Sequence, residues 1–221
     1  MTKAVNPRRA YQSPRRQEQA KSTRRAIIDA ARELFIDHGF VATTVEAIAA
    51  RATTSTATVY ATFANKRSML SALVDTSIAG DDEPIPIIQR PWVGEMRGEP
   101  DLHRRIGILA RNGRLILERR APIDEVVRAA AASDPDIDAL WRQGKAQRLA
   151  GQRELLRIVV GSDDLRPGLA HEAATDILYA IGSPETYRLL TSDRGWPPAR
   201  FELWYADTLE RLLFAEPGDR L

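Results

Sequence analysis

The sequence has no cysteine, which excludes disulfide bonds, thiolate metal ligands and cysteine nucleophiles throughout its 221 residues. It has only three histidines. It also lacks Gly-x-Ser-x-Gly, a phosphate-binding glycine loop and His-x-x-x-His, which are common marks of catalytic or metal sites. These absences argue against an enzyme, and we predict no catalytic residue, no cofactor and no metal site.

Long apolar runs are also missing. No stretch approaches the ~20 apolar residues that a membrane-spanning helix needs, so we expect no membrane partner. The basic N-terminal segment has no apolar stretch of the kind found in secretory signals, which makes the cytoplasm the expected location. A hydrophobic content of 43% is nevertheless enough for a well-packed core.

Positive charge is concentrated in the first third of the chain. Residues 1–67 contain 12 Lys or Arg and 5 Asp or Glu, whereas residues 68–221 contain 20 and 25. Basic residues gathered on one module are typical of proteins that bind polyanions such as DNA. For residues 1–20 alone, a disordered solubilising tail is an equal alternative.

The N-terminal region predicts an arm followed by two helices. Residues 1–20 have few apolar side chains, so we expect a disordered basic arm. From about Thr23, apolar residues recur at helical spacing and predict a helix that ends with Gly39 as its left-handed cap. A second helix is predicted to begin at Thr43, because a threonine hydroxyl with Glu46 three residues later forms a capping box.

A third short helix has an unusual outward face. Ser55 is its predicted cap, and Val59 and Phe63 lie four residues apart and point inward together. The outward face carries small side chains and one tyrosine, where an ordinary exposed helix has long Glu, Lys or Gln. Small hydroxyl and methyl groups let a helix approach base edges in the major groove. This face consists of Ser55, Thr56, Ala57, Thr58, Tyr60, Ala61 and Thr62.

We predict two kinds of contact with double-stranded DNA, since base edges carry sequence information whereas phosphates fix position. Base readout is predicted for Thr56, Ala57, Thr58 and Ala61. Phosphate positioning is predicted for Thr43, Thr44, Ser55, Tyr60, Thr62 and Lys66, of which Lys66 follows the Asn65 cap of a fourth, linker helix that extends to about Ala79. Arg24 and Arg25, at the start of the first helix, add phosphate or minor-groove contacts.

The segment TRRAIIDAARELFIDHGFVATTVEAIAARATTSTATVYATFANKRSML resembles the helix-turn-helix domain of TetR-family regulators. Its marks are Ala-Ala-x-x-Leu-Phe before His-Gly-Phe, then Thr-Thr-Val-x-x-Ile-Ala, Val-Tyr-x-x-Phe and Asn-Lys. The chain departs from the family pattern at Thr53, where a turn-tolerant residue such as glycine is usual, and at Thr62, where histidine is common. A β-branched residue disfavours the positive φ that the turn at Thr53 requires.

The end of the chain predicts two apolar helices, one over residues 174–190 and one after Pro197 and Pro198. The segment AATDILYAIGSPETYRLLTSDRGWPPARFELWYADTLERLL is similar to the last two helices of many regulators of that family, and the resemblance implies a homodimer interface. Two such helices pair with their symmetry mates as a four-helix bundle, with burial inside one chain as the alternative. The predicted interface residues are Ile177, Leu178, Ile181, Tyr187, Leu190, Trp204, Leu209 and Leu212.

Residues 80–170 begin with a long loop and then predict three helices, over about 101–120, 122–132 and 135–160. Their apolar residues either line a ligand cavity or fill a core, and periodicity does not separate the two. The resemblance favours a cavity, because similar proteins usually have one. The predicted lining residues are Ile106, Leu109, Leu115, Ile116, Val127, Leu140 and Trp141.

The sequence therefore predicts an all-α protein with an arm over 1–20, a helix-turn-helix domain over 21–67 and a helical ligand-binding and dimerisation domain over 68–221. We expect a repressor that binds a palindromic operator as a homodimer. It leaves the operator when a small-molecule effector changes the spacing of the two helix-turn-helix domains, residues 21–67 of each copy, which we call the reading heads. The alternatives are a regulator or architectural protein with the same reading head but no small-molecule ligand, and an activator.

Overall fold

The computed structural model describes residues 14–81, 83, 85–160 and 165–214. Within these ranges the chain forms helices and one isolated bridge between Leu165 and Phe214, without a β-strand, so the predicted all-α fold is confirmed. No helix in these ranges is long and apolar enough to cross a membrane. The helices are α1 (Pro14–Ala42), α2 (Val45–Arg51), α3 (Thr56–Thr62), α4 (Lys66–Ala79), α5 (Pro91–Gly98), α6 (Leu102–Ala131), α7 (Pro135–Val160), α8 (His171–Ile181), α9 (Pro184–Arg188) and α10 (Pro198–Leu213).

The first helix is longer than its sequence pattern indicates. It begins at Pro14, so it extends into the segment 1–20 that we predict as an arm, while residues 1–13 lie outside the described residues. Gly39 has the positive φ expected of it, 78°, but its ψ of 165° kinks the chain, and one more helical stretch follows to Ala42. The kink redirects the backbone toward α2.

The linker helix α4 has both of its predicted ends. The Asn65 side chain accepts a hydrogen bond from the backbone N–H of Ser68, and the Ser68 hydroxyl accepts one from the backbone N–H of Asn65. Gly80 closes the helix in the left-handed conformation, with φ 86°. These two local signals fix the bounds of the helix that leaves the N-terminal region.

The region after α4 differs from the prediction in two ways. The expected break at Pro122 is wrong, because Pro122 lies inside α6, which is continuous over thirty residues. A proline inside a helix costs about 3 kcal/mol. Burial of Ile123, Val126 and Val127 beyond it offsets that cost, since each buried aliphatic side chain contributes about 1.5–3 kcal/mol. The prediction also missed α5, whereas α7 has the predicted bounds.

Two hydrophobic cores lie along α6. The first joins the inward faces of α1 to α4 to the C-terminal half of α6 and to Ile137, with Trp141 of α7 packed against it. The second joins α5, the N-terminal part of α6, the end of α7 and helices α8 to α10. The first core thus continues across the boundary that we predict between residues 67 and 68. The reading head and the start of the C-terminal region share one packed interior.

The predicted helix over residues 174–190 is interrupted. α8 ends at Gly182, and Ser183 caps α9, whose first residue is Pro184. A Cβ at Gly182 would lie 2.3 Å from the Tyr205 hydroxyl oxygen of α10, so the close approach of the two helices requires glycine. α9 continues into a π-helical turn, Leu189–Asp193. The last helix, α10, begins after Pro197, as predicted.

Candidate DNA-binding site

The helix-turn-helix is built by α2, a four-residue connection and α3. The cap of α2 is Thr44, whose hydroxyl oxygen accepts a hydrogen bond from the backbone N–H of Ala47 at 3.1 Å. The prediction of a capping box from Thr43 is therefore wrong by one residue. Val45, Ile48 and Ala49 form the buried face of α2.

Thr43 is not available to DNA through its side chain. It is only 3% exposed, and its hydroxyl donates to the carbonyl oxygens of Leu34 at 3.0 Å and Gly39 at 2.8 Å. This geometry contradicts the predicted phosphate contact. The hydroxyl instead ties the kink at the end of α1 to the start of α2, where carbonyl groups released from the helix need donors.

The turn between the two helices contains the one non-glycine residue with positive φ in the described ranges, Thr53 at φ 52°. The backbone N–H of Thr53 donates to the Ala50 carbonyl and that of Thr54 to the Ala49 carbonyl, at 3.2 and 2.9 Å. A β-branched residue adopts this conformation only where the surrounding structure enforces it. The strain anticipated from the sequence is thus present.

α3 presents the predicted outward face. Its cap is Ser55, whose hydroxyl oxygen accepts from the backbone N–H of Thr58, while Val59 and Phe63 are buried as predicted. Ala57, Tyr60 and Ala61 are exposed, and Thr56, Thr58 and Thr62 are half-buried. The helix itself carries no charged side chain, so any electrostatic attraction to DNA has to come from its neighbours.

Hydroxyl groups on α3 differ in how many donors they retain. The Ser55 and Thr58 hydroxyl oxygens are 2.8 Å apart and share one hydrogen bond, which leaves one O–H of the pair for another acceptor. Thr62 donates to the Thr58 carbonyl at 2.8 Å. Because phosphate oxygens only accept hydrogen bonds, Thr62 has to rotate before it can contact one.

Lys66 lies in a different environment from the predicted one. Its ammonium donates to the carbonyl oxygens of Phe40 at 2.6 Å and Thr43 at 2.8 Å, and it lies 4.3 Å from the centre of the Phe40 ring. Partial burial lowers the pKa of this ammonium group. The predicted phosphate contact is therefore contradicted, because the Lys66 donors bind the carbonyls that follow the kink and brace α1 against α4.

The arginines near the site are not equivalent. Arg24 stacks its guanidinium on the Phe63 ring at 4.6 Å, which places it beside the end of α3. Arg25 is exposed and faces the other side of α1, toward α4 and α6. Arg51 pairs with Glu33 on the first helix, and Arg67 pairs with Asp134 at 2.9 Å. The stacking of Arg24 was not anticipated from the sequence.

The seven predicted pocket residues do not line one cavity in the described structure. Ile106 and Leu109 belong to the second core, whereas Val127 and Trp141 belong to the first or pack against it. The remaining members are half-buried: Leu115, Ile116 and Leu140. They are separated because α6 is one continuous helix, about 1.5 Å long per residue, so its two ends serve different cores.

The predicted dimer residues fall into two groups. Leu178, Tyr187 and Leu209 are buried inside the monomer core, which contradicts their assignment to an interface. Five others are half-buried: Ile177, Ile181, Leu190, Trp204 and Leu212. Leu203 was missed, although it is 74% exposed on α10, because it lies off the inward stripe of that helix. The sequence signal that could have identified Leu203 is its position outside the inward apolar stripe of α10.

Comparisons with known proteins agree with this geometry. Residues 27–73 match the family model described as bacterial regulatory proteins, tetR family. A Bacillus subtilis (strain 168) protein, "Uncharacterized HTH-type transcriptional regulator YdeS", is 28% identical over 181 residues, which cover 81% of this chain and 84% of the relative.

Solved structures share the fold over most of the chain. NalD, the secondary repressor of the MexAB-OprM multidrug efflux pump in Pseudomonas aeruginosa, superposes with a TM-score of 0.65 at 20% identity, covering 90% of this chain and 99% of its own. SmeT, solved as a complex with triclosan, gives 0.67 at 21% identity, with coverages of 89% and 93%.

Taken with α2, its turn and α3, the match over residues 27–73 indicates a helix-turn-helix module similar to that of bacterial regulatory proteins of the tetR family. The chain is similar to TetR-family regulators in this module by sequence and in its fold over most of its length.

Proposed function

We propose that this regulator is a repressor that binds an approximately palindromic operator as a homodimer and is released from it by a small-molecule effector. The observation that carries the proposal is the outward face of α3, which is exposed or half-buried, has no charged side chain and consists of small side chains apart from Tyr60. Because this face has no long side chain other than Tyr60, the helix can enter a major groove closely enough to contact base edges.

The DNA contacts divide between base edges and backbone. Base readout is assigned to Thr56, Ala57, Thr58 and Ala61, whose methyl and hydroxyl groups match thymine methyls and base-edge donors or acceptors. Backbone positioning is assigned to the residues at the rim of the same surface, and Arg25 is omitted because it faces α4 and α6. The assigned residues are Arg24, Thr44, Ser55, Tyr60 and Thr62. Thr43 and Lys66 are omitted because their side chains are used internally.

Dimerisation is assigned to the outer faces of α8 and α10. Leu203 is 74% exposed, and Ile177, Ile181 and Trp204 on the same two helices are only half-buried. Alanines at 173, 180, 199 and 206 lie on these helices and allow close helix contact. A second copy buries this surface in a four-helix arrangement and holds two reading heads at half-sites one helical turn apart, about 34 Å.

Release by an effector requires that the ligand favour a different spacing of the heads. SmeT in complex with triclosan supports ligand binding in this fold. α4 is the connecting element, since Arg67 at its start is held to Asp134 and Asp136 at the α6–α7 corner, at 2.9 and 3.1 Å. Because α4 and the C-terminal half of α6 also share a buried core, a shift of that corner changes the position of the reading head.

A second candidate is a DNA-binding regulator whose C-terminal core takes no ligand. The observation that favours it is the separation of the seven predicted pocket residues between two packed cores. The two candidates differ in one measurable respect, because only an effector-released repressor loses operator affinity when a small molecule binds.

Selection from a random pool of DNA duplexes tests the proposal. We expect the full chain to enrich a motif with two-fold symmetry and half-sites about 10 base pairs apart. A matched selection uses the Ala57→Glu variant, with Ala146→Glu on the exposed side of α7 as the control. Enrichment of the same motif by Ala57→Glu would contradict the role of α3, and no enrichment by the unaltered chain would contradict sequence-specific binding.

A further inference from the structure

A cleft of about 170 Å³ lies where α1, the end of α4 and the middle of α6 meet. It is separate from the outward face of α3 and from the predicted pocket residues, none of which lines it. One wall is the stripe of α1 that contains Ile28 and Arg32, and the facing wall carries Leu73 and Thr76 of α4 and Arg119 of α6. The cleft therefore lies between the reading head and the C-terminal region of residues 68–221, which we call the body.

Two like charges face each other across this cleft. Burial lowers the pKa of the Arg119 guanidinium, and the nearby positive charge of Arg32 lowers it further. Within the described residues, Arg32 makes no hydrogen bond or ion pair. Asp81 and Glu118 raise the pKa of Arg119, but the repulsion between the two guanidinium groups remains, so an anion placed between them is favoured.

Neighbouring carboxylates do not fully compensate these charges. Asp81 also lines the cleft, but both of its oxygens accept hydrogen bonds from Arg90, at 2.6 and 2.9 Å. Asp29 is the other acidic residue of the lining, which also contains the three positively charged residues Arg25, Arg32 and Arg119. The cleft keeps an excess of positive charge.

Arg119 is held in place while part of it stays available. Its Nε donates to the Ser77 carbonyl at 3.2 Å and its Nη2 to the Ile78 carbonyl at 3.4 Å, at the C-terminal end of α4. A Cβ at Gly80 would lie 3.1 Å from the same Nη2, so glycine gives the guanidinium room. A guanidinium has five N–H donors, and only two of them are used in these contacts.

The rest of the lining is apolar. Ile28, Leu73 and Ile123 form the walls beside the two guanidinium groups. The volume is close to the roughly 150 Å³ of a cavity that accommodates benzene. We propose that the cleft binds a small organic carboxylate, with its oxygens between Arg32 and Arg119 and its apolar part against the three aliphatic side chains.

Such a ligand bridges the reading head and the body. It contacts α1 and α6 together, so its binding favours one position of the head relative to α6 and alters DNA affinity through that position. This consequence rests on the proposed function, whereas the binding site itself does not. The cleft then supplies an effector site at the joint, distinct from a cavity inside the C-terminal core.

The test uses benzoate as the probe, at constant ionic strength, with calorimetric titration of the full chain. We expect saturable binding at one site per chain and none for benzyl alcohol, which has the ring without the charge. Inorganic sulfate is expected to bind more weakly, because it leaves the apolar walls uncovered. Arg32→Gln is expected to weaken benzoate binding about tenfold or more, the cost of losing a charge-assisted contact.

The control is Arg104→Gln, which makes the same change at an exposed position of α6 about 22 Å from Arg119 along the helix. It is expected to leave benzoate affinity unchanged. Absence of saturable benzoate binding, or equal affinity in Arg32→Gln and the unaltered chain, overturns the proposal. Benzoate binding without any sequence-specific DNA binding supports the site and contradicts the proposed function, so the two failures are distinguishable.

Discussion

Two helices of this protein each expose a face that the other described residues leave uncovered, and the two faces differ in chemistry. α3 exposes alanines, threonine hydroxyls and Tyr60, which is 52% exposed. α10 exposes Leu203 at 74%, beside the half-buried Trp204. Small polar groups suit a groove lined by base edges, whereas a large aliphatic group suits burial against protein. Each surface thus indicates the kind of partner it fits.

The largest expected effect comes from a long acidic side chain on the α3 face. Ala57→Glu introduces a negative charge against the phosphates and a chain too long for close approach, so affinity for the selected duplex should fall at least about 100-fold. Fluorescence anisotropy measures it. The sedimentation coefficient of the free protein should not change, and if it did, the two faces would not be independent.

Leu203→Glu tests the other face. A charge at the centre of an apolar contact should raise the dissociation constant of the dimer about 30-fold or more, the usual cost at an interface hot spot. Analytical ultracentrifugation is the measurement, with Ala146→Glu on α7 as the matched control. An unchanged association state would show that α10 does not form the interface.

Lys66 is a cation near the DNA-binding surface whose contacts lie inside the protein. Lys66→Met keeps the aliphatic chain but leaves the Phe40 and Thr43 carbonyls without their donor, so the free energy of unfolding should fall by about 1–3 kcal/mol. Chemical denaturation measures this, with Lys21→Met as the control, since the Lys21 pair with Glu83 is 3.8 Å long and open to solvent and its loss should change stability by less than about 0.5 kcal/mol. Unchanged stability together with weaker DNA binding would instead support the phosphate contact that the sequence predicts for Lys66.

The smallest effect is expected at the exposed ion pair that joins α4 to the α6–α7 corner. The hydrogen bond and charge of Arg67 hold the pKa of Asp134 below its usual value. The pair therefore stabilises the fold above that usual pKa, and the contribution is lost as pH falls through the lowered pKa. Arg67→Gln should lower Tm slightly at neutral pH and not in acid. A difference that persists in acid would contradict this origin.

Local signals predicted the reading head better than the body. Cap residues and spacing within one or two turns placed Asn65, Ser55 and the buried pair Val59 and Phe63, because these features depend on neighbours in sequence. The cap at Thr44 was missed by one residue, since Thr43 is held by Leu34 and Gly39 through a kink that spacing alone does not reveal.

The body depended on contacts that are distant in sequence. Pro122 was expected to break a helix, but packing on both sides keeps α6 continuous. Leu178 and Leu209 were expected at an interface, but they fill the monomer core, and the more exposed Leu203 went unnoticed. α5 could have been found from Pro91 at a helix start, followed by Val93 and Met96.

The most direct measurement is a titration of the full chain against a duplex with the enriched sequence and against a scrambled duplex, at one moderate salt concentration. We predict an affinity ratio of at least about 1,000, with two chains bound per enriched duplex. Equal affinity for the two duplexes, or a single chain bound at saturation, would contradict it.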